Sequence, residues 1–311
     1  MTNASSLPPI SLLTMSGWED YALVDTGNMM RLERFGERLI ARPEPQAYWA
    51  PSLPPKAWDQ AGATFTLSSA SDSETKGDDA RGRWQTATGF PEEWPIRYHG
   101  LTCFCRLSSF QHVGLFPEQA SHWEWMREEL EGAARTSAGE RPKLLNLFGY
   151  TGMASLVAAQ AGAEVTHVDA SPKAISWAKQ NQETSGLEDA PIRWICDDAT
   201  KFVAREGRRG RAYDGILLDP PRYGRGPKNE TWRIERDLAP MLSACAEILK
   251  PGPAFVMLTA YAIRLSSLTL RELMRDAFPG GSSDYGELVI EQENAARHLS
   301  TSMFVRWTRN D

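Results

Sequence analysis

The sequence predicts an α/β protein: a seven-stranded, mostly parallel sheet wound with helices over residues 108–311, with one antiparallel strand. A smaller β-rich domain that begins with an irregular arm is expected over residues 1–107. Three observations lead there. From Lys143 onward, short apolar runs alternate with helix-like stretches, the pattern of β-α units packed as a parallel sheet. The last two apolar runs, Leu288-Val289-Ile290 and Met303 to Trp307, have no helical stretch between them, so one strand there should run antiparallel. The first hundred residues carry short apolar runs separated by turn residues.

In the first domain, residues 1–17 are rich in Ser and Pro and read as irregular. Tyr21 to Val24 leads into Asp25-Thr26-Gly27-Asn28, then Met29 to Phe35, then Leu39 to Arg42 beyond Gly36, which predicts a hairpin or meander ended by Arg42-Pro43-Glu44-Pro45. Residues 67–83, rich in Ser, Asp and Gly, read as an exposed loop tip, and Trp94 to Leu107 is strand-like again. In the second domain, Leu144 to Phe148 is a strand and residues 152–161 an Ala-rich helix ended by Gly162. Glu164 to Val168 is the next strand. Ser171-Pro172 supplies an N-cap with proline at the first helical position, Ala174, Ile175 and Ala178 form one apolar stripe, and Gly186 closes the helix. Ile192 to Cys196, Tyr213 to Leu218 and Phe255 to Leu258 are strands, with helices at 199–205, at Leu242 to Leu249 and at Ser267 to Phe278.

The chain has 311 residues, 41% hydrophobic and 24% charged, a composition that excludes wholesale disorder and collagen-like repetition. No apolar run approaches the length of a membrane span, and no charged stretch of the signal-peptide kind precedes Arg31, so a cytoplasmic protein without membrane association is expected. The net charge of −6 is unevenly placed: residues 1–130 hold 11 basic against 17 acidic residues, and residues 131–311 hold 23 of each. The four cysteines form no CxxC pair and no zinc spacing with the five histidines, so free thiols and no metal are expected.

Ligands of such a sheet bind at the carboxyl ends of its strands, so the residues after each strand carry the functional reading. After the first strand stands Phe148-Gly149-Tyr150-Thr151-Gly152, a glycine turn that lacks the third glycine of the dinucleotide fingerprint. After the second stands Asp169, an acid suited to both hydroxyls of a ribose, in NAD as well as in S-adenosylmethionine. After the third stand Asp197-Asp198-Ala199, where a carboxylate can meet an adenine amino group; a plain helix N-cap would use the same residue type as Asp169 or Asp198. After the fourth stands Asp219-Pro220-Pro221-Arg222-Tyr223-Gly224, a rigid loop presenting a carboxylate and carbonyl oxygens at the rim.

In this order, Asn146-Leu147-Phe148-Gly149-Tyr150-Thr151-Gly152, Val168-Asp169, Asp197-Asp198 and Asp219-Pro220-Pro221-Arg222-Tyr223 resemble the motifs of class I S-adenosylmethionine-dependent methyltransferases, which are Rossmann-like, and more narrowly the bacterial 23S ribosomal RNA methyltransferase group. The run from Gln111 to Gln119 is similar to a segment that precedes the cofactor strand in that group. The resemblance covers about residues 108–311; the first hundred residues do not look like that group's usual RNA-binding module. It implies that S-adenosylmethionine is the cofactor and S-adenosylhomocysteine the product. Phe148, Gly149 and Gly152, with Asn146, Tyr150 and Thr151 in the same motif, would line its methionine part. Asp169, with Ala170 and Ser171, would hold the ribose; Asp197, Asp198 and Ala199 would meet the adenine; Phe116 and Gln119 would close the pocket. Asp219, Pro220, Pro221 and Tyr223 would form the catalytic edge. Members that methylate cytosine C5 carry a cysteine after the fifth strand, because C5 becomes nucleophilic only once a thiolate adds to the ring. Here that loop reads Leu258-Thr259-Ala260-Tyr261, so a C5 mechanism is not expected.

Residues 205–236 hold nine basic against five acidic residues and bracket the acceptor loop. Arg222, Tyr223, Arg225 and Lys228 are therefore the candidate substrate contacts, with large-subunit ribosomal RNA as the expected partner. A solvated helical face with internal Glu–Arg pairs is the plain alternative for this window. The seven tryptophans before residue 130 read as core or interface residues in preference to base-stacking platforms. Two rival functions stay open on sequence alone: methylation of a small molecule or protein, and a nucleotide-binding module without transfer chemistry.

Overall fold

The computed structural model describes residues 9–15, 17–68, 81–136, 139–261, 263–293 and 295–310. Strand β1 (Ser11–Thr14) opens it. Strands β2 (Tyr21–Gly27), β3 (Met30–Phe35), β4 (Arg38–Pro43), β5 (Ala63–Leu67) and β6 (Gly82–Thr86) form a sheet in that order, with a helical turn α1 (Pro55–Trp58) before β5. A hairpin of β7 (Glu93–Tyr98) and β8 (Leu101–Arg106) follows. The expected first turn falls later than the sequence suggests. β2 continues through Asp25 to Gly27, and Asn28 and Met29, at φ 52° and 60°, make the two-residue left-handed turn that matches strand twist. Most of the loop tip read into residues 67–83 lies outside the described residues; its base is the pair Leu67 and Gly82.

The second half alternates as expected. A 3-10 turn (Pro117–Gln119) leads into α2 (Ala120–Thr136), then β9 (Lys143–Leu147), α3 (Met153–Gln160), β10 (Glu164–Asp169), α4 (Pro172–Thr184), β11 (Ile192–Cys196), α5 (Ala199–Arg208) and β12 (Gly215–Leu218). A short hairpin, β13 (Tyr223–Arg225) with β14 (Thr231–Arg233), precedes α6 (Ile234–Glu247), β15 (Ala254–Ala260), α7 (Ser267–Ala277), β16 (Ser282–Glu291) and β17 (His298–Arg309). The sheet order is β1-β16-β17-β15-β12-β9-β10-β11, and β17 runs antiparallel to both neighbours. These are the seven strands expected, with the antiparallel strand in the last pair.

The eighth strand is a correction. Residues 11–14, read as part of an irregular arm, lie parallel to β16 and cover its free edge. Gly286 makes the approach feasible, because a Cβ there would run into the Ser11 carbonyl. Four residues are too few to show strand alternation in the sequence.

One apolar layer runs from the N-terminal sheet into the main sheet: Trp18, Tyr21, Phe35, Trp94, Ile96 and Tyr98 pack in the same cluster as Trp123, Met126, Leu144 and Leu156. Trp18, Tyr98 and Trp123 stack edge to face at 4.8–5.8 Å. The indole N–H groups of Trp18, Trp49, Trp84 and Trp94 each donate to a backbone carbonyl and that of Trp58 to Asp25, so these tryptophans are structural. A buried ion cluster joins the halves. Arg42 clamps Glu33 through two nitrogens at 2.5 and 2.9 Å and reaches the Gln111 carbonyl at 3.4 Å. Burial works against the Glu33 carboxylate, but Arg31 and Arg42 win and hold it at about 2. The N-terminal sheet thus anchors the segment from Gln111 to Gln119.

Candidate active site

Leu147, Val168, Leu218 and Leu258 occupy one row across β9, β10, β12 and β15. The next residues, Phe148, Asp169, Asp219 and Thr259, therefore emerge together at the carboxyl edge, where the chain switches direction on either side of β9.

The glycine turn is strained on both sides of Gly149: Phe148 and Tyr150 have φ 58° and 51°, a region costly for side-chain-bearing residues. What holds it is visible. A Cβ on Gly149 would run into the His167 ring, which lies in a buried chain: Asn146 Nδ2 donates to Ser155 Oγ at 2.9 Å, and Ser155 Oγ meets His167 Nδ1 at 2.9 Å. Burial pushes His167 down to about 3, so it is neutral. Asp169 closes the turn from the next strand. One carboxylate oxygen accepts from the Tyr150 N–H at 2.9 Å and the other from the Ser171 N–H at 2.8 Å. Burial raises its carboxyl above the usual range, and these two N–H donors oppose that. Each oxygen keeps a lone pair for a further donor. Thr151 Oγ1 donates to the Gly114 carbonyl at 2.6 Å, tying the turn to the upstream segment.

Asp198 caps α5, accepting from the Lys201 N–H at 2.9 Å, and Asp197 pairs with Arg205 at 2.8 Å. The N-cap reading thus holds for Asp198, which also lines the site. Asp219 is enclosed beneath the rim. Gln119 Nε2 donates to its Oδ2 at 3.3 Å, and Thr259 Oγ1 meets Gln119 Oε1 at 3.5 Å. Its Oδ1 is buried with no partner among the described residues. Burial pushes this carboxyl up to about 7, and Glu118 adds to the push. In the loop that follows, Trp232 Nε1 donates to the Pro221 carbonyl at 2.8 Å, and its ring packs on Phe148 at 4.9 Å.

These residues enclose a cavity of about 320 Å³. Phe116, Phe148, Tyr150, Asp169, Ala170, Ser171, Asp197, Asp198, Ala199, Asp219, Pro221 and Arg225 line it, all expected from sequence. An adjoining cavity of about 60 Å³ shares Phe116, Phe148, Tyr150 and Asp219 and adds Gln119, Asn146, Gly149 and Thr151. Gly152 and Pro220 line neither; Gly152, at φ 89°, instead starts α3 against Ala178 and Trp194. Tyr223 is 42% exposed and lies with Arg222 in a groove beside the larger cavity. Lys228 sits in the turn of the β13–β14 hairpin, outside both cavities and the groove. His112, in the upstream run from Gln111 to Gln119, lines the larger cavity too, as do Phe110, Gly226, Trp232 and Tyr261, which the sequence did not single out for the site. None of the four cysteines lines either cavity, and among the described residues no His, Cys, Asp or Glu cluster could hold a metal. Arg297, between the last two strands, lies outside both cavities: it donates to the Ala50 carbonyl at 2.8 Å and lies over Trp49.

The chain is 48% identical to a SAM (S-adenosylmethionine)-dependent methyltransferase from Agrobacterium tumefaciens over 96% of its own length and 93% of that chain, with a TM-score of 0.87. SMU.776, solved in complex with SAH (S-adenosylhomocysteine), has the same fold at 17% identity and a TM-score of 0.68, covering 94% of this chain and 76% of that one. Residues 120–237 match the family described as Conserved hypothetical protein 95. A ribosomal RNA large subunit methyltransferase K/L from Hahella chejuensis is 32% identical over 55% of this chain and 22% of its own length. The chain spans about a fifth of the length of the curated relatives of this kind that it matches first. A nucleotide-binding module without transfer chemistry is set aside by these likenesses.

Proposed function

Because the chain belongs to the class I S-adenosylmethionine-dependent methyltransferases, we propose that it methylates RNA, with large-subunit ribosomal RNA as the substrate, at an atom other than cytosine C5. The observation that carries the RNA reading is the mouth of the cavity, where exposed Tyr223 and the arginines of the β13–β14 hairpin flank the opening above Asp219. The relatives named for ribosomal RNA support the substrate class.

The donor set fits the cofactor. Both Asp169 oxygens have a lone pair to offer the ribose hydroxyls, and Asp197 and Asp198 stand at the adenine end. Asn146, Gly149, Thr151 and Gln119 line the smaller cavity, where the methionine part would lie. Bound there, the cofactor supplies an electrophilic methyl group on a cationic sulfur. Asp219, on the wall between the two cavities, favours that positive charge and accepts a hydrogen bond from the incoming nucleophile through Oδ1. A carboxyl that titrates near 7 can take the proton the nucleophile loses and release it to solvent. The rest of the acceleration is positioning: Pro220 and Pro221 stiffen the loop, Trp232 fastens it, and Tyr223 offers a face to the acceptor base. Arg222, Arg225 and Lys228 would meet phosphates. The test is transfer of a labelled methyl group from S-adenosylmethionine to separated RNA, protein and small-molecule fractions of the cell. Label in the RNA fraction supports the reading; label confined to another fraction refutes it.

A further inference from the structure

Beside the cavity lies an open groove of about 1250 Å³. One wall is the β13–β14 hairpin and the start of α6, with Arg222, Tyr223, Arg225, Arg233 and Arg236. The other comes from outside the catalytic sheet: Arg81, the residue before β6, and Phe110. This second wall is fastened by backbone. Arg81 and Phe110 form an antiparallel bridge, the Gly82 N–H donates to the Ser109 carbonyl at 3.1 Å, and Trp84 Nε1 donates to the Phe110 carbonyl at 3.1 Å. The Arg81 guanidinium lies over the Phe110 ring at 5.9 Å.

Among the described residues, the charges of the groove are only partly paired. Arg222 pairs with Glu235 and Arg236 with Asp237. Arg81, Arg225 and Arg233 have no carboxylate partner among the described residues; Arg225 and Arg233 instead frame Tyr223, at 3.2 Å to its hydroxyl and 5.9 Å to its ring. Phe110, Gly224 and Arg225 line both groove and cavity, so the two are continuous.

We infer that this groove is a two-walled track for a single RNA strand, closed on one side by Arg81 of the N-terminal domain and by Phe110, which that domain holds in place. Guanidinium groups on both walls suit a phosphate backbone, and aromatic rings on both walls suit unstacked bases. A strand lying there passes the shared residues Phe110 and Arg225, from which one nucleotide can turn into the cavity toward Asp219. A duplex has no unstacked base faces to offer Tyr223 and Phe110, so single strands bind in preference. This rests on the RNA reading above and adds to it that the acidic N-terminal domain contributes to the grip.

The test is binding of the full chain to an unstructured 12-nucleotide RNA and to the same RNA in a blunt duplex, across a salt series. The inference expects at least ten-fold tighter binding of the single strand. It expects Arg81→Ala to lower the slope of log affinity against log salt by about 0.7, which at 0.1 M salt is a loss of about five-fold. Arg81→Lys should restore the slope, and S-adenosylhomocysteine binding, measured alongside, reports that the variants are folded. If Arg225→Ala weakens binding while Arg81→Ala leaves affinity and slope unchanged, the second wall is refuted and the RNA reading stands. Equal binding of duplex and single strand refutes the track. If the unaltered protein binds neither RNA, both readings fall.

Discussion

Replacing Asp219 by Asn isolates the group on which the proposed chemistry turns. In an unfolded chain this carboxyl ionises near its ordinary 3.8, whereas in the folded protein burial delays ionisation to about 7. A carboxyl whose folded value is raised favours the native state fully at low pH, and that contribution is lost as pH rises through the interval between the two values. Working the linkage through from pH 5 to pH 8 gives a loss of about 2–3 kcal/mol, since one unit is worth about 1.4 kcal/mol and the change levels off above 7. Asn is nearly the same size and its side-chain oxygen can still accept from Gln119 Nε2, so Asp219→Asn removes the titration with little change in packing. Urea unfolding of both proteins at pH 5 and pH 8, without added cofactor, reads the effect. The stability of the Asn variant relative to the unaltered protein should rise by about 2–3 kcal/mol over that span. A difference that stays constant would refute the enclosed, late-ionising Asp219 and with it the proton-accepting role.

Three further predictions follow from the same geometry. Asp169→Ala should weaken S-adenosylhomocysteine binding roughly 100-fold by calorimetry, the loss of two charge-assisted hydrogen bonds worth about 3 kcal/mol together; unchanged affinity would remove Asp169 from the ribose. His167 is buried neutral, its folded value about 3 against an ordinary 6.5, so its contribution is present above 6.5 and lost on acidification. From pH 7 to pH 4 the unaltered protein should lose about 3 kcal/mol more than His167→Gln, and equal acid profiles would contradict this. Cys196→Ser and Cys245→Ser should each retain methyl transfer, since Cys196 is exposed outside the cavity and Cys245 is buried in α6; abolished transfer in a folded variant would restore a thiolate mechanism.

The parts of the site legible in the sequence are those attached directly to strand ends. Asp169, Asp197 and Asp219 each follow an apolar run, and a parallel sheet brings such positions to one edge whatever the rest of the chain does. The parts that escaped notice arrive by tertiary routes. Phe110 reaches the cavity because Trp84, far away in sequence, holds its carbonyl and Arg42 reaches that of the neighbouring Gln111. Trp232 belongs to a hairpin of two three-residue strands inside a charged window that reads equally well as a helix. Helix α2, beginning one residue after Gln119, carries the charged run Arg127-Glu128-Glu129 and hides its period. The arm at residues 11–14 becomes a strand only because β16 offers an edge and Gly286 leaves room.

The charge distribution acquires a spatial meaning as well. Whole-chain acidity of −6 argues against a basic coat, yet five arginines face one groove at the mouth of the cavity. What matters to a polyanion is the local field, which decays within about 10 Å at ordinary salt. An acidic N-terminal domain can therefore carry Arg81 to the groove without repelling a strand that lies there.

The most direct test of RNA methylation away from cytosine C5 is mass spectrometry of nucleosides from large-subunit ribosomal RNA, comparing cells that carry this protein with cells that lack it. The account predicts that one methylated nucleoside disappears with the protein, returns with the unaltered chain, and is not 5-methylcytidine. Identical nucleoside profiles, or the loss of 5-methylcytidine, would contradict it.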